Sequence, residues 1–198
     1  MRLRMMAVAV MLSACSPLAT AQMNMGAAAK PAAGAMTEPA KALDDMLTLY
    51  EGEVLGAAKA MPAEKYSFAP SAAIFAAGSP EKFDTVRTFG QQVAHVAQAN
   101  YYFYSVVSGT KPDVDMQAIG KITAKDEAVA ALAGSLAFGH KAIATITAAN
   151  AFETIKGADG MTTRATLADF AVAHGYDHYG QMVEYLRMNG IVPPASAK

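Results

Sequence analysis

Apolar residues recur at helical spacing through most of the chain beyond residue 40. Leu43, Met46, Leu47, Tyr50, Val54 and Leu55 fall three and four apart, predicting a first helix from Ala40 to Met61 that Pro62 stops. Ser79-Pro80 reads as an N-cap followed by proline at the first helical position. From there Phe83, Val86, Phe89, Val93, Ala97, Tyr101 and Tyr104 carry the period to Val107. Gly109 and Pro112 close this second helix. A third is predicted from Lys125 to Ile155 on Val129, Leu132, Leu136, Ile143 and Ile146, with Gly157 and Gly160 beyond it. A fourth runs from Thr166, with Asp169 as a capping-box variant, to the C-cap signal Asn189-Gly190. No stretch alternates convincingly with a period of two, so no strand is predicted. Four helices of this length predict an all-α four-helix bundle.

The start of the chain follows a different pattern. Met1-Arg2-Leu3-Arg4 is positive, and Met5 to Leu12 is an apolar run too short to span a bilayer. Together they read as a secretory signal peptide. Two processing sites compete. Ala19-Thr20-Ala21 is a small-residue cleavage site that would make residues 1–21 the signal. Leu12-Ser13-Ala14-Cys15 resembles a lipobox, which would end the signal before Cys15 and make a lipid on Cys15 the chain's membrane anchor. Both readings place the mature protein outside a bacterial cytoplasm, in the periplasm or cell envelope. Residues 22–40 are small and rich in Ala, with Pro31, Gly34 and Pro39, and read as a flexible linker. The bundle is left residues 41–195.

Composition narrows the function classes. The chain has 198 residues, 53% hydrophobic and 17% charged, enough apolar material for one domain with a core. Sixteen basic against seventeen acidic side chains leave a net charge of −1, so no basic excess exists for nucleic acid. A single cysteine excludes a disulfide framework and a multi-cysteine metal site. Metal chemistry would therefore centre on the four histidines.

His174 and His178 are four apart on the fourth helix, so both rings lie on one face within reach of one ion. Asp177, Gln181 and Tyr185 continue that face, which also carries Leu167, Phe170 and Ala171. A polar stripe running on from an apolar one is costly to bury unless its groups find partners. The alternative is a solvated stripe, with Val172, Met182 and Val183 turned inwards instead. His95, on the second helix beside Gln91, Gln92, Ala99 and Tyr102, would supply a third imidazole. Three donors leave coordination positions for water or substrate, as in catalytic rather than structural sites. Asp177 is then either a partner to an imidazole N–H or a proton acceptor, or else an ordinary surface charge. His140 reads as surface or as a group behind the ligands.

Three stretches carry a resemblance. They are Glu64-Lys65-Tyr66-Ser67-Phe68-Ala69-Pro70, then Arg87-Thr88-Phe89-Gly90-Gln91-Gln92-Val93-Ala94-His95-Val96-Ala97, and the run from His174-Gly175-Tyr176-Asp177-His178 to Pro193-Pro194. In these the chain resembles the DinB-like superfamily (DinB/YfiT-like proteins) over roughly residues 40–195. The resemblance implies a bundle of up-down-down-up arrangement. It also implies a divalent ion, zinc, nickel or iron, held by one histidine of the second helix and two of the fourth, which here are His95, His174 and His178. Members of known activity are thiol-dependent transferases and a maleylpyruvate isomerase; many members have no assigned activity. The export signal sets this chain apart and argues against cytoplasmic thiols as cosubstrates.

The expectation is a metal-dependent transferase or hydrolase acting on a small molecule. The alternatives are a non-catalytic metal- or small-ligand-binding protein of the cell envelope, and a structural module with vestigial histidines. No nucleic-acid partner is expected. Tyr101, Tyr102, Phe103 and Tyr104 read as packed core, with a pocket or a homodimer interface as alternatives.

Overall fold

A computed structural model describes residues 32–71, 74 and 76–197. The expected signal segment, Cys15 and the first part of the expected linker lie outside the described residues. The chain divides into two units, Met1–Ala35 and Met36–Lys198. Of the first, residues 32–35 are described, a turn closed by the Ala35 amide donating to the Ala32 carbonyl at 3.0 Å.

The second unit is built on four long helices: α1 (Pro39–Ala60), α2 (Phe89–Ser108), α4 (Lys125–Ile143) and α5 (Arg164–Met188). A short helix, α3 (Met116–Ile119), sits between α2 and α4. A hairpin of β1 (Thr154–Ala158) and β2 (Met161–Thr163) joins α4 to α5.

Side-chain contacts fix the direction of each helix. Asp44 meets His140 near the start of α1 and the end of α4, while Lys125 at the start of α4 donates to the Lys59 carbonyl, so α1 and α4 are antiparallel. Gly90 lies against Thr123 and Gly139 against Tyr104, so α2 and α4 are parallel. Tyr185 donates to the Arg87 carbonyl and Arg164 to the Val107 carbonyl, so α2 and α5 are antiparallel. The arrangement is up-down-down-up, with α1 and α2 each packed on both α4 and α5. The core between them is fully buried, with Leu47, Tyr50, Val54, Phe89, Val93, Tyr104, Leu132, Leu136, Leu167, Met182 and Leu186 at its centre.

The helix boundaries differ from expectation at three places, each for a local reason. First, α2 begins at Phe89, not near Ser79. Thr88 and Gln91 form a capping box, and the Phe89 and Gly90 amides donate at 2.8 Å to the carbonyls of Phe68 and Tyr66. The first amides of the helix are thus satisfied without the segment from Ser79 to Arg87. Gly90 permits this approach, since a Cβ there would stand 3.0 Å from the Tyr66 ring and 3.1 Å from the Thr123 carbonyl.

Second, α4 stops at Ile143 rather than Ile155. The Asn150 side chain accepts from the Thr147 amide (2.8 Å) and donates to the Thr145 carbonyl (3.1 Å), offering the backbone an alternative to the helix. The segment from 154 to 163 then forms the hairpin that the absence of alternation argued against. Asp159 (φ 50°) and Gly160 (φ 82°) are its two turn residues, an Asp-Gly pair suited to a type I′ turn.

Third, α5 is capped by Thr163, not Thr166. Thr163 accepts from the Thr166 amide, and Thr166 accepts from the Thr163 amide, both at 3.3 Å. Its other end matches expectation. Gly190 (φ 72°) follows Asn189, the Gly190 amide donates to Arg187 (2.9 Å) and the Ile191 amide to Leu186 (3.0 Å), closing a Schellman motif.

Candidate metal centre

His95 lies two turns inside the capped start of α2, and the antiparallel α5 brings His174 and His178 opposite it. Ring centroids are 5.3 Å apart for His95–His174, 4.7 Å for His95–His178 and 4.6 Å for His174–His178. One nitrogen of each ring can be chosen so that all three lie within 4.8 Å of one another. The Nε2 atoms of His174 and His178 face each other at 3.3 Å. Metal–nitrogen bonds of about 2.0–2.1 Å in tetrahedral geometry separate two donors by about 3.3 Å.

The electrostatics favour neutral rings. Burial pushes His95 down to about 4, helped by the Arg87 charge and then by His178 and His174. Burial likewise lowers His178 to about 4, with His174 adding to it, while the Asp177 charge opposes and Arg87 assists. His174 is lowered by burial against the opposing charges of Asp177 and Asp159. Neutral imidazole is the form that coordinates a metal. The Nδ1 atoms of His174 and His178 are buried and have no hydrogen-bond partner among the described residues. The donor set therefore fits a divalent ion.

Asp177 is exposed on α5, and its carboxylate accepts from Gln181 Nε2 at 3.2 Å rather than from an imidazole. Gln181 in turn accepts from the buried Gln92 at 2.6 Å. Of the inward candidates on α5, Leu167, Ala171, His178 and Tyr185 are buried, and so are Val172 and Met182. The buried stripe thus runs between the two faces weighed from the sequence, with His174 and Gln181 at its edge.

His140 stands apart from the cluster. Its Nδ1 bonds Asp44 at 2.6 Å and its Nε2 bonds Glu51 at 2.9 Å, tying α4 to α1. Burial would lower it, but these bonds and the two carboxylate charges outweigh burial and raise it. Within the aromatic run, Tyr101, Phe103 and Tyr104 are buried and Tyr102 is exposed.

A cavity of about 390 Å³ opens beside the cluster, lined by His95, His174, Ala99, Phe103, Met116 and Phe170 among others. The Phe103 and His174 rings pack in a T-shaped arrangement with centroids 5.4 Å apart. Phe103, read from sequence as core with a pocket as the alternative, is buried and also lines this cavity, while Met116 and Arg87 had no assigned place at the site. Asp159 also reaches this cavity, from the hairpin turn. The Asp-Gly pair was the signal that would have located it.

The family model of the DinB superfamily matches residues 46–182, and the chain belongs to that superfamily. No curated protein matches the chain.

Proposed function

We propose that this chain is an exported, metal-dependent enzyme, a transferase or hydrolase acting on a small molecule. His95, His174 and His178 would hold a divalent ion, zinc, nickel or iron. The observation that carries the reading is the convergence of three neutral imidazoles, two of which, His95 and His174, line a partly apolar cavity. When bound with open positions, such an ion lowers the pKa of a coordinated water or thiol and polarises a carbonyl. The protein's own contribution is to fix the three donors on two helices and to line one side of the site with Phe103 and Phe170. Asp177, whose charge reaches His174 and His178, would be the group to accept a proton released there.

A second reading, a metal or small-ligand carrier of the envelope, is favoured by one observation. Asp177 bonds Gln181 and no carboxylate bonds the cluster's rings among the described residues. Loading the chain with each metal and screening esters, amides and thiol–electrophile pairs separates the two. The enzyme reading expects turnover that His95→Ala abolishes and Asp177→Asn lowers at unchanged metal content. The carrier reading expects bound metal or ligand without turnover.

The export half of the proposal rests on Met1 to Ala21. It is tested by the mass of the mature N-terminus in the periplasmic fraction, beginning at Gln22 or at an acylated Cys15. Full-length protein confined to the cytoplasm would refute it.

A further inference from the structure

A second cavity, of about 400 Å³, lies on the other side of His95, lined by Asp84, Thr85, Arg87, Gln91 and Gln98 among others. The two cavities meet at His95 and Gln98, which line both. Their chemistry differs sharply. The first is walled mainly by Ala99, Tyr102, Phe103, Met116 and Phe170, from α2, α3 and α5, with Gln117 and the hairpin's Asp159 at its lining as well. The second is polar, and Arg87 is its only cation. Arg87 makes no ion pair with any carboxylate among the described residues. Its charge is nevertheless felt at all three histidines. Gln98 is held in place at the junction by donating to the Met116 carbonyl at 2.8 Å.

An uncommitted guanidinium on one side of a metal-binding cluster and an aromatic cavity on the other select a ligand with two ends. We infer that the site takes a small amphiphilic carboxylate. Its apolar or aromatic body lies against Phe103 and Phe170, and its anionic group lies on Arg87, so that the ligand crosses the face of His95. A planar guanidinium binds a carboxylate through two parallel N–H···O bonds, which a neutral oxygen cannot match. The aromatic walls supply the affinity that follows apolar area. Asp84, the one carboxylate in the second lining, opposes the anion and limits its affinity. This inference rests on reading the cluster as a substrate site and names the class of substrate.

The test is isothermal titration of the zinc-loaded full chain with 4-phenylbutyrate and with 4-phenylbutanol, zinc content being measured on the same samples. The acid is expected to bind about tenfold more tightly than the alcohol. Arg87→Gln, at an exposed side chain, should erase that preference at unchanged zinc content, which excludes binding through the metal alone. Asp84→Asn should strengthen the acid only. Ala99→Phe, filling the apolar cavity, should weaken both. Equal affinity for acid and alcohol, a preference that survives Arg87→Gln, or no binding of either would overturn the inference while zinc uptake leaves the metal reading intact. Failure to take up zinc would overturn the metal reading instead. The acid-over-alcohol comparison on the metal-free chain would then decide the inference by itself.

Discussion

Gly175 sits between two of the three histidines, and replacing it tests how tightly α5 is held against α1. A Cβ there would overlap the Tyr50 ring carbon Cζ and its hydroxyl. Tyr50 is fully buried, and its ring also packs on Tyr176 with centroids 5.0 Å apart, so moving it away from a new Cβ would disturb packed contacts. Gly180, five residues further along the same helix, is exposed, and a Cβ there would meet nothing within 4 Å. Alanine gains about 0.8–1 kcal/mol over glycine inside a helix at either position. At Gly180 that gain stands alone, and Gly180→Ala should stabilise by about that amount. At Gly175 it is opposed by overpacking of about 1–3 kcal/mol, so the two variants should differ by that much. Urea unfolding with tyrosine fluorescence and circular dichroism measures both midpoints. A domain of this size should show the difference as a gap in Tm of several degrees, about 2–4 °C per kcal/mol. If Gly175→Ala stabilises as much as Gly180→Ala, then α1 and α5 are not packed as described and the clash argument fails.

Three further outcomes are expected. Tyr50→Phe should be close to neutral in the same unfolding assay, because the hydroxyl it removes is buried with no hydrogen-bond partner among the described residues; a loss above about 2 kcal/mol would reveal a partner for it. Thr88→Ala should cost about 1 kcal/mol by removing the capping box at the start of α2, with Thr88→Ser restoring most of it. His140→Gln should cost about 0.5–1 kcal/mol at low pH, a small value because the Asp44 carboxylate is partly exposed. The sign follows from the raised pKa: the stabilisation is complete below the unfolded value of 6.5 and fades as pH rises through the folded value. Stability curves for wild type and His140→Gln should therefore converge towards alkaline pH. Divergence there would contradict the pairing with Asp44 and Glu51.

The fold was readable where a single period governs a whole face. Leu47, Tyr50 and Val54 on α1, and Leu132 and Leu136 on α4, are buried as their spacing predicts. Met46 belonged to the same stripe by spacing and is exposed, because the buried strip of α1 is narrower than its apolar one. Boundaries failed where tertiary contacts decided them. Nothing local to Ser79-Pro80 says that carbonyls at Tyr66 and Phe68 will satisfy the first amides of a helix starting at Phe89. The hairpin was missed because its strands, Thr154–Ala158 and Met161–Thr163, are too short for their alternating exposure to stand out in the sequence, although Asp159-Gly160 announced its turn. At the site, His174 and His178 could be paired by spacing alone, since one helix holds both. That His95 faces them depends on α2 and α5 running antiparallel, which the family resemblance implied and no local pattern encodes. The companion groups Arg87, Phe103 and Met116 come from three separate segments, and only the assembled bundle brings them to one place.

His95, His174 and His178 are proposed to form one metal site from which His140 is excluded. The most direct test is zinc titration of the metal-free chain by calorimetry, with elemental analysis, for wild type and four single alanine variants. One ion per chain is expected for wild type and for His140→Ala. Loss of stoichiometric binding is expected for His95→Ala, His174→Ala and His178→Ala, with each variant still folded because the apolar core is untouched. Full zinc occupancy in any of those three, or its loss in His140→Ala, would contradict this ligand set.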